Sequence, residues 1–139
     1  MILADTNILS ELMKPLPNNR VIDWMDSLEQ KDLGITSVTV AEILYGIAAL
    51  SDGKRKQLLL EVAGAMFEED FYGRIFAFDE QSAVEYADIV LQRERSGRPI
   101  SMPDAQIAAI CRAGNFKLAT RNTSDFEGTK IELINPFDH

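Results

Sequence analysis

A chain of 139 residues, 46% of them hydrophobic, suffices for one domain, residues 1–139, whose core needs no covalent staple. Its single cysteine, Cys111, excludes an internal disulfide and agrees with a reducing compartment. Asp+Glu 22 against Lys+Arg 14, a net charge of −8, excludes a nucleic-acid binder that depends on a broad basic surface.

Ile2-Leu3-Ala4 reads as a short buried strand near the start of the chain, followed by Asp5-Thr6-Asn7. An acid at the fifth residue leaves no room for the apolar stretch of a signal peptide. No apolar run approaches the roughly 20 residues of a membrane span, so a soluble, cytoplasmic protein is expected. Val21, Trp24, Met25 and Leu28 keep helical spacing, with Asn18 or Asn19 as N-cap. Leu33-Gly34-Ile35-Thr36 predicts a second strand and a helix follows from about Val38 to Leu50, stopped by Asp52-Gly53. Leu58, Leu59, Val62 and Met66 form the apolar stripe of another helix.

Arg74 to Phe78 is strand-like, and Asp79 caps a long helix that runs to Gly97. Pro103 suits the first turn of a helix ending at Gly114. Lys117 to Thr120 and Lys130 to Ile134 complete the strands. Strands alternating with helices predict an α/β domain with a mainly parallel sheet. Ligands in such sheets bind beyond the carboxyl ends of the strands.

Acids recur at those ends. Asp5 follows the first strand, and Glu42 lies on the helix after the second. Asp104 opens the helix at Pro103, and Asp125 follows the fourth strand with Asn122. Each also has a purely structural reading. Asp5 suits an N-cap, Thr39 and Glu42 have capping-box spacing, Asp104 suits a helix dipole, and Asn122 and Asp125 suit a turn. These separate roles leave the recurrence at one sheet edge unexplained. Two like charges ~4 Å apart repel by about 4 kcal/mol at an effective dielectric near 20, so converging carboxylates call for a hard divalent cation. Zinc is disfavoured by the absence of His-rich or Cys-rich spacing. His139 reads as a frayed tail.

Taken in order, Asp5-Thr6-Asn7, Val40-Ala41-Glu42-Ile43 with Tyr45-Gly46, Pro103 to Ala109, Ala119 to Asn122 through Asp125-Phe126, and Asn135-Pro136-Phe137 resemble PIN-domain nucleases, specifically VapC-type toxins of the FitB-like group. The resemblance spans essentially the whole chain. It implies a three-layer α/β/α fold, metal-dependent cleavage of RNA phosphodiesters, a homodimer, and a cognate VapB-type antitoxin. It also assigns Asp5, Glu42 and Asp104 to magnesium or manganese. Asp125 or Asn122 completes the site, with Asp125 favoured for its charge. Thr6, Asn7 and Asn122 would orient the ligands by hydrogen bonds, while Glu42 either binds metal or positions the attacking water. The number of ions stays open.

Arg93, Arg95, Arg98, Arg112 and Arg121 are candidate phosphate contacts, with solvated helix ends as the alternative. A dinucleotide binder lacks its Gly-rich loop after the first strand. A phosphoacceptor signalling domain would need its acid after a middle strand, whereas Asp52 falls in a helix-ending turn. A PIN-like module kept only for binding is the third alternative.

Overall fold

The structure, a computed structural model, describes residues 1–138; His139, expected to be a frayed tail, lies outside them. Five short strands form the sheet: β1 (Ile2–Ala4), β2 (Leu33–Thr36), β3 (Ile75–Phe76), β4 (Lys117–Ala119) and β5 (Leu133–Ile134). Their order is β3-β2-β1-β4-β5, and every pairing is parallel. The central strand is therefore the first in sequence. Leu3 lies beside Gly34 on one flank and Leu118 on the other.

Alternation along the strands feeds two cores, because successive strand side chains point to opposite faces. Leu3 and Leu118 pack with Ile89, Ile107 and Cys111 beneath α5 (Glu80–Arg95) and α6 (Met102–Gly114). Ala4 and Ala119 face the other way. They pack with Ile8, Val21, Trp24, Ile43 and Ala63 from α1 (Thr6–Leu12), α2 (Asn19–Asp26), α3 (Ser37–Ala48) and α4 (Lys54–Ala65). The result is the expected three-layer α/β/α arrangement. Covered on both faces, β1 reads as an unbroken apolar run. Gly34 is required by close approach, since a Cβ there would meet the Arg74 carbonyl and the Phe76 ring at 2.9 Å.

Several boundaries differ from expectation. The strands expected over 74–78 and 130–134 shrink to Ile75–Phe76 and Leu133–Ile134, because each lies at a sheet edge and pairs on one side only. Helix α6 does end at Gly114, but Asn115 takes the left-handed cap, at φ 56°. The Thr39–Glu42 capping box is not formed: Thr36 caps α3, its hydroxyl accepting the Thr39 N–H at 3.1 Å. Of the stripe on α4, Leu59 and Met66 pack on the core while Leu58 and Val62 are 60% and 44% exposed.

Candidate active site

Asp5 stands where β1 stops, in extended backbone as the N-cap of α1. Its Oδ1 accepts the Thr6 N–H at 2.8 Å, so the structural reading of this residue is correct as far as it goes. Its Oδ2 accepts from the Thr120 hydroxyl at 2.8 Å and the Asn7 amide at 3.3 Å. Thr120 directly follows β4, the neighbour of β1, so the parallel register brings residues 5 and 120 to the same strand-end level. The Thr6 hydroxyl donates to Glu42 Oε1 at 2.7 Å and fixes the α3 acid against α1.

Asp104 occupies the first turn of α6, where Ser101 caps the helix by accepting its N–H at 3.3 Å. Asn122 and Asp125 belong to the turn after β4, which continues as a 3-10 turn over Thr123–Phe126. The Thr120 hydroxyl also accepts the Asn122 N–H at 3.1 Å, while Asn7 Oδ1 accepts that of Arg121 at 3.1 Å. Asp5, Thr6, Asn7, Glu42, Asp104, Asn122 and Asp125 all line one cleft of about 420 Å³. The seven residues expected to form a site therefore do share a place, beyond the carboxyl ends of the strands.

The cleft is electrostatically strained. Asp5 is only 5% exposed, and burial, helped by the charges of Asp104 and Glu42, pushes its carboxyl up to about 6. The Thr120 and Thr6 hydrogen bonds pull the other way. Asp104 is also raised, first by burial and then by Asp125 and Glu42, so its neighbours include all three other acids. No three Asp, Glu, His or Cys side chains among the described residues are gathered tightly enough to grip one ion as a ready-made cage. The acids instead line the walls of an open cleft, as mutual repulsion favours. The donors are all oxygens, and burial plus like charge is a penalty that a hard divalent cation relieves. In donor chemistry the residues fit such an ion.

The expected arginine cluster divides into separate roles. Arg93 is buried, 5% exposed, and donates to the carbonyls of Arg98, Asp125 and Glu127 at 2.6, 2.7 and 3.0 Å. It staples the turn that carries Asp125. Arg98 binds Glu127 and the Ser124 carbonyl, and Arg112 pairs with Glu85 and Asp88. These three side chains are spent on protein partners, and only Arg121 lines the cleft. Sequence reasoning missed Thr120, Glu11 and Lys14. Thr120 was expected as the last residue of a strand, whereas β4 stops at Ala119 and frees its hydroxyl for the cleft; Glu11 and Lys14, paired at 2.9 Å, have no motif to mark them. Cys111 is fully buried, and burial pushes its thiol far up, so it is inert core.

An α/β/α sandwich with acids gathered beyond the ends of a parallel sheet defines the class of protein. The PIN domain family model matches residues 2–131, and the chain belongs to that family. Among its relatives, toxin FitB of Neisseria gonorrhoeae is 39% identical over 137 residues, covering 99% of each chain. A VapC ribonuclease of Sinorhizobium fredii is 37% identical over 138 residues, again 99% of each. The crystal structure of FitAcB from Neisseria gonorrhoeae superposes with a TM-score of 0.94 at 39% identity and covers 100% of both chains.

Proposed function

We propose that this chain is a magnesium- or manganese-dependent endoribonuclease acting as the toxin of a toxin–antitoxin pair. The observation that carries the reading is the convergence of Asp5, Glu42, Asp104 and Asp125, drawn from four separate segments, on one cleft. The names of the similar proteins, a toxin and a VapC ribonuclease, support it.

Asp5 and Asp104 would be the central ligands of the ion, with Asp125 and Glu42 completing the acidic lining of the cleft. A bound divalent ion would supply an activated water and neutralise charge on the phosphate. The protein's own part is orientation. Thr120 and the Thr6 N–H aim the two oxygens of Asp5, and the Thr6 hydroxyl holds one oxygen of Glu42. The other Glu42 oxygen remains for metal or for positioning the attacking water. Asn7 ties the β1 end to the β4 turn through Asp5, Thr120 and Arg121.

An apolar groove of about 660 Å³, lined by Ile43, Ile47, Leu58, Leu59 and Val62, shares Ser10, Lys14 and Glu42 with the cleft. It suits an antitoxin segment that lies across α3 and α4 and reaches the acids with a basic side chain. A homodimer and a cytoplasmic setting complete the proposal; no helix among the described residues is long and apolar enough to cross a membrane.

The alternatives fit less well. The turn after β1 is Asp5-Thr6-Asn7 rather than a phosphate-cradling loop. Asp52 is solvent-exposed, pairs with Lys56, and lies outside the cleft. The test is RNA cleavage by the purified chain with magnesium or manganese, stopped by EDTA and abolished in folded Asp5→Asn and Asp104→Asn. Full activity in either variant refutes the proposal. Growth arrest on expression of the wild type alone, absent with Asp5→Asn, tests the toxin role.

A further inference from the structure

A chain of net charge −8 with an acid-lined cleft must still hold a polyanion if it cuts RNA. A cation in the site helps only at the phosphate it touches. Contacts to neighbouring phosphates need protein cations. Two line the cleft, Lys14 and Arg121. Lys14 is paired with the buried Glu11 at 2.9 Å. Arg121 takes part in none of the ion pairs among the described residues.

Arg121 is exposed yet placed. Its guanidinium carbon lies 4.5 Å from the centroid of the Phe137 ring. Its backbone N–H donates to Asn7 Oδ1, and its backbone carbonyl accepts the Asn135 amide at 3.4 Å. The opposite end of the Asn135 side chain accepts the Phe137 backbone N–H at 3.0 Å, so one residue ties together the main chains that carry the arginine and the ring. Pro136 is buried, and Phe137, half-buried, packs on the core beside α2. With its guanidinium over the ring and in no ion pair, Arg121 keeps a planar fork of donors that can take a phosphate bidentately. Stacking also restricts the rotamers of a long side chain, reducing the entropy that binding would otherwise remove.

We infer that Arg121, laid on Phe137 at the wall of the acidic cleft, grips an RNA backbone phosphate adjacent to the one cleaved, and that the Asn135-Pro136-Phe137 ending is its positioning device. This rests on the proposed ribonuclease activity.

The experiment compares full-length wild type, Arg121→Ala, Arg121→Lys and Phe137→Leu. Steady-state cleavage of an RNA oligonucleotide is measured with magnesium, and RNA binding is measured as a function of salt in an Asp104→Asn background. Arg121→Ala should raise KM about tenfold with kcat within about threefold, the signature of a binding contact remote from the bond broken. Its plot of log affinity against log salt should lose about 0.7 of slope, one single-strand phosphate contact. Arg121→Lys should keep the slope with an intermediate KM, because it retains charge without the fork. Phe137→Leu keeps the apolar packing and removes the ring, and should shift KM in the same direction by less. An unchanged KM and salt slope in Arg121→Ala overturns the inference while leaving the ribonuclease proposal standing. So does a kcat loss at constant KM, which would place Arg121 at the reacting phosphate. A wild type that neither binds nor cuts RNA overturns both.

Discussion

The hydroxyl of Thr120 donates to Oδ2 of Asp5 at 2.8 Å, joining residues 115 positions apart inside the buried end of the cleft. This bond stabilises the charged form of Asp5 against burial. Thr120→Val keeps the shape and removes the donor. It should cost about 1–3 kcal/mol of stability at neutral pH, the penalty for a buried polar group left short of a partner. It should also move the acid limb of the pH–rate profile upward, because Asp5 becomes harder to ionise. Chemical denaturation and a pH–rate series check both. An unmoved acid limb in a folded variant would separate Asp5 from the rate.

Stability should depend on pH through Asp5 itself. Its carboxyl is raised from 3.8 to about 6, so over that interval the folded chain keeps a proton that the unfolded chain has released. The associated stabilisation is fully present below the lower value and is lost as pH rises through the upper one. Urea unfolding between about pH 4 and about pH 7 should show the wild type losing stability relative to Asp5→Asn as pH rises. A difference that is flat across the window would contradict the burial argument.

Asp104 is raised by burial and by the charges of Asp125 and Glu42, so its charge is a local liability at neutral pH. Asp104→Asn should melt at higher temperature than wild type in EDTA. Magnesium or manganese at millimolar concentration should raise the wild-type melting temperature by binding the folded state, and raise that of the variant much less. Equal shifts in the two proteins would mean that Asp104 holds no ion.

Arg93 donates to the Asp125 and Glu127 carbonyls of the turn after β4 and to the Arg98 carbonyl beyond α5. Arg93→Met retains bulk and loses every one of those bonds. It should destabilise by about 1–3 kcal/mol, since three part-buried carbonyls lose the donor that joins them. It should also speed amide exchange over residues 122–129 ahead of the rest of the chain. Lysine should not rescue it, because a single ammonium cannot reproduce a fork that reaches several carbonyls. Uniform exchange rates would show that the turn holds itself.

Val84 and Leu91 leave apolar side chains of α5 open to solvent, away from the groove proposed for the antitoxin. Without an antitoxin the chain should sediment at twice its 15.5 kDa mass at micromolar concentration. A clean monomer would refute the dimer.

The sheet and its site were legible in the sequence for a common reason. In a parallel sheet the strands are short apolar runs, and the residue after each run projects from the strand end. Ala4-Asp5 and Ala119-Thr120 are both such junctions, and Ser101-Met102-Pro103-Asp104 is a helix start. What escaped was set by long-range contact. Glu42 had capping-box spacing from Thr39, but the cap is Thr36, which left Glu42 free to meet Thr6 from α1. The arginines looked alike in sequence. Arg93 is internal because the turn after β4 folds back over α5, and that fold-back has no local signature. Edge strands lost residues because pairing on one side supports fewer of them.

The position of Asp5 on the central strand has a consequence for the order of manufacture. A ribosome delivers this carboxylate more than a hundred residues before its hydroxyl partner, which lies 115 positions on, and before the Asn122–Asp125 turn. An interrupted chain ending before Thr120 has Asp5, Glu42 and even Asp104, yet lacks the wall that turns them into a cleft. Premature termination therefore yields a fragment without a working site.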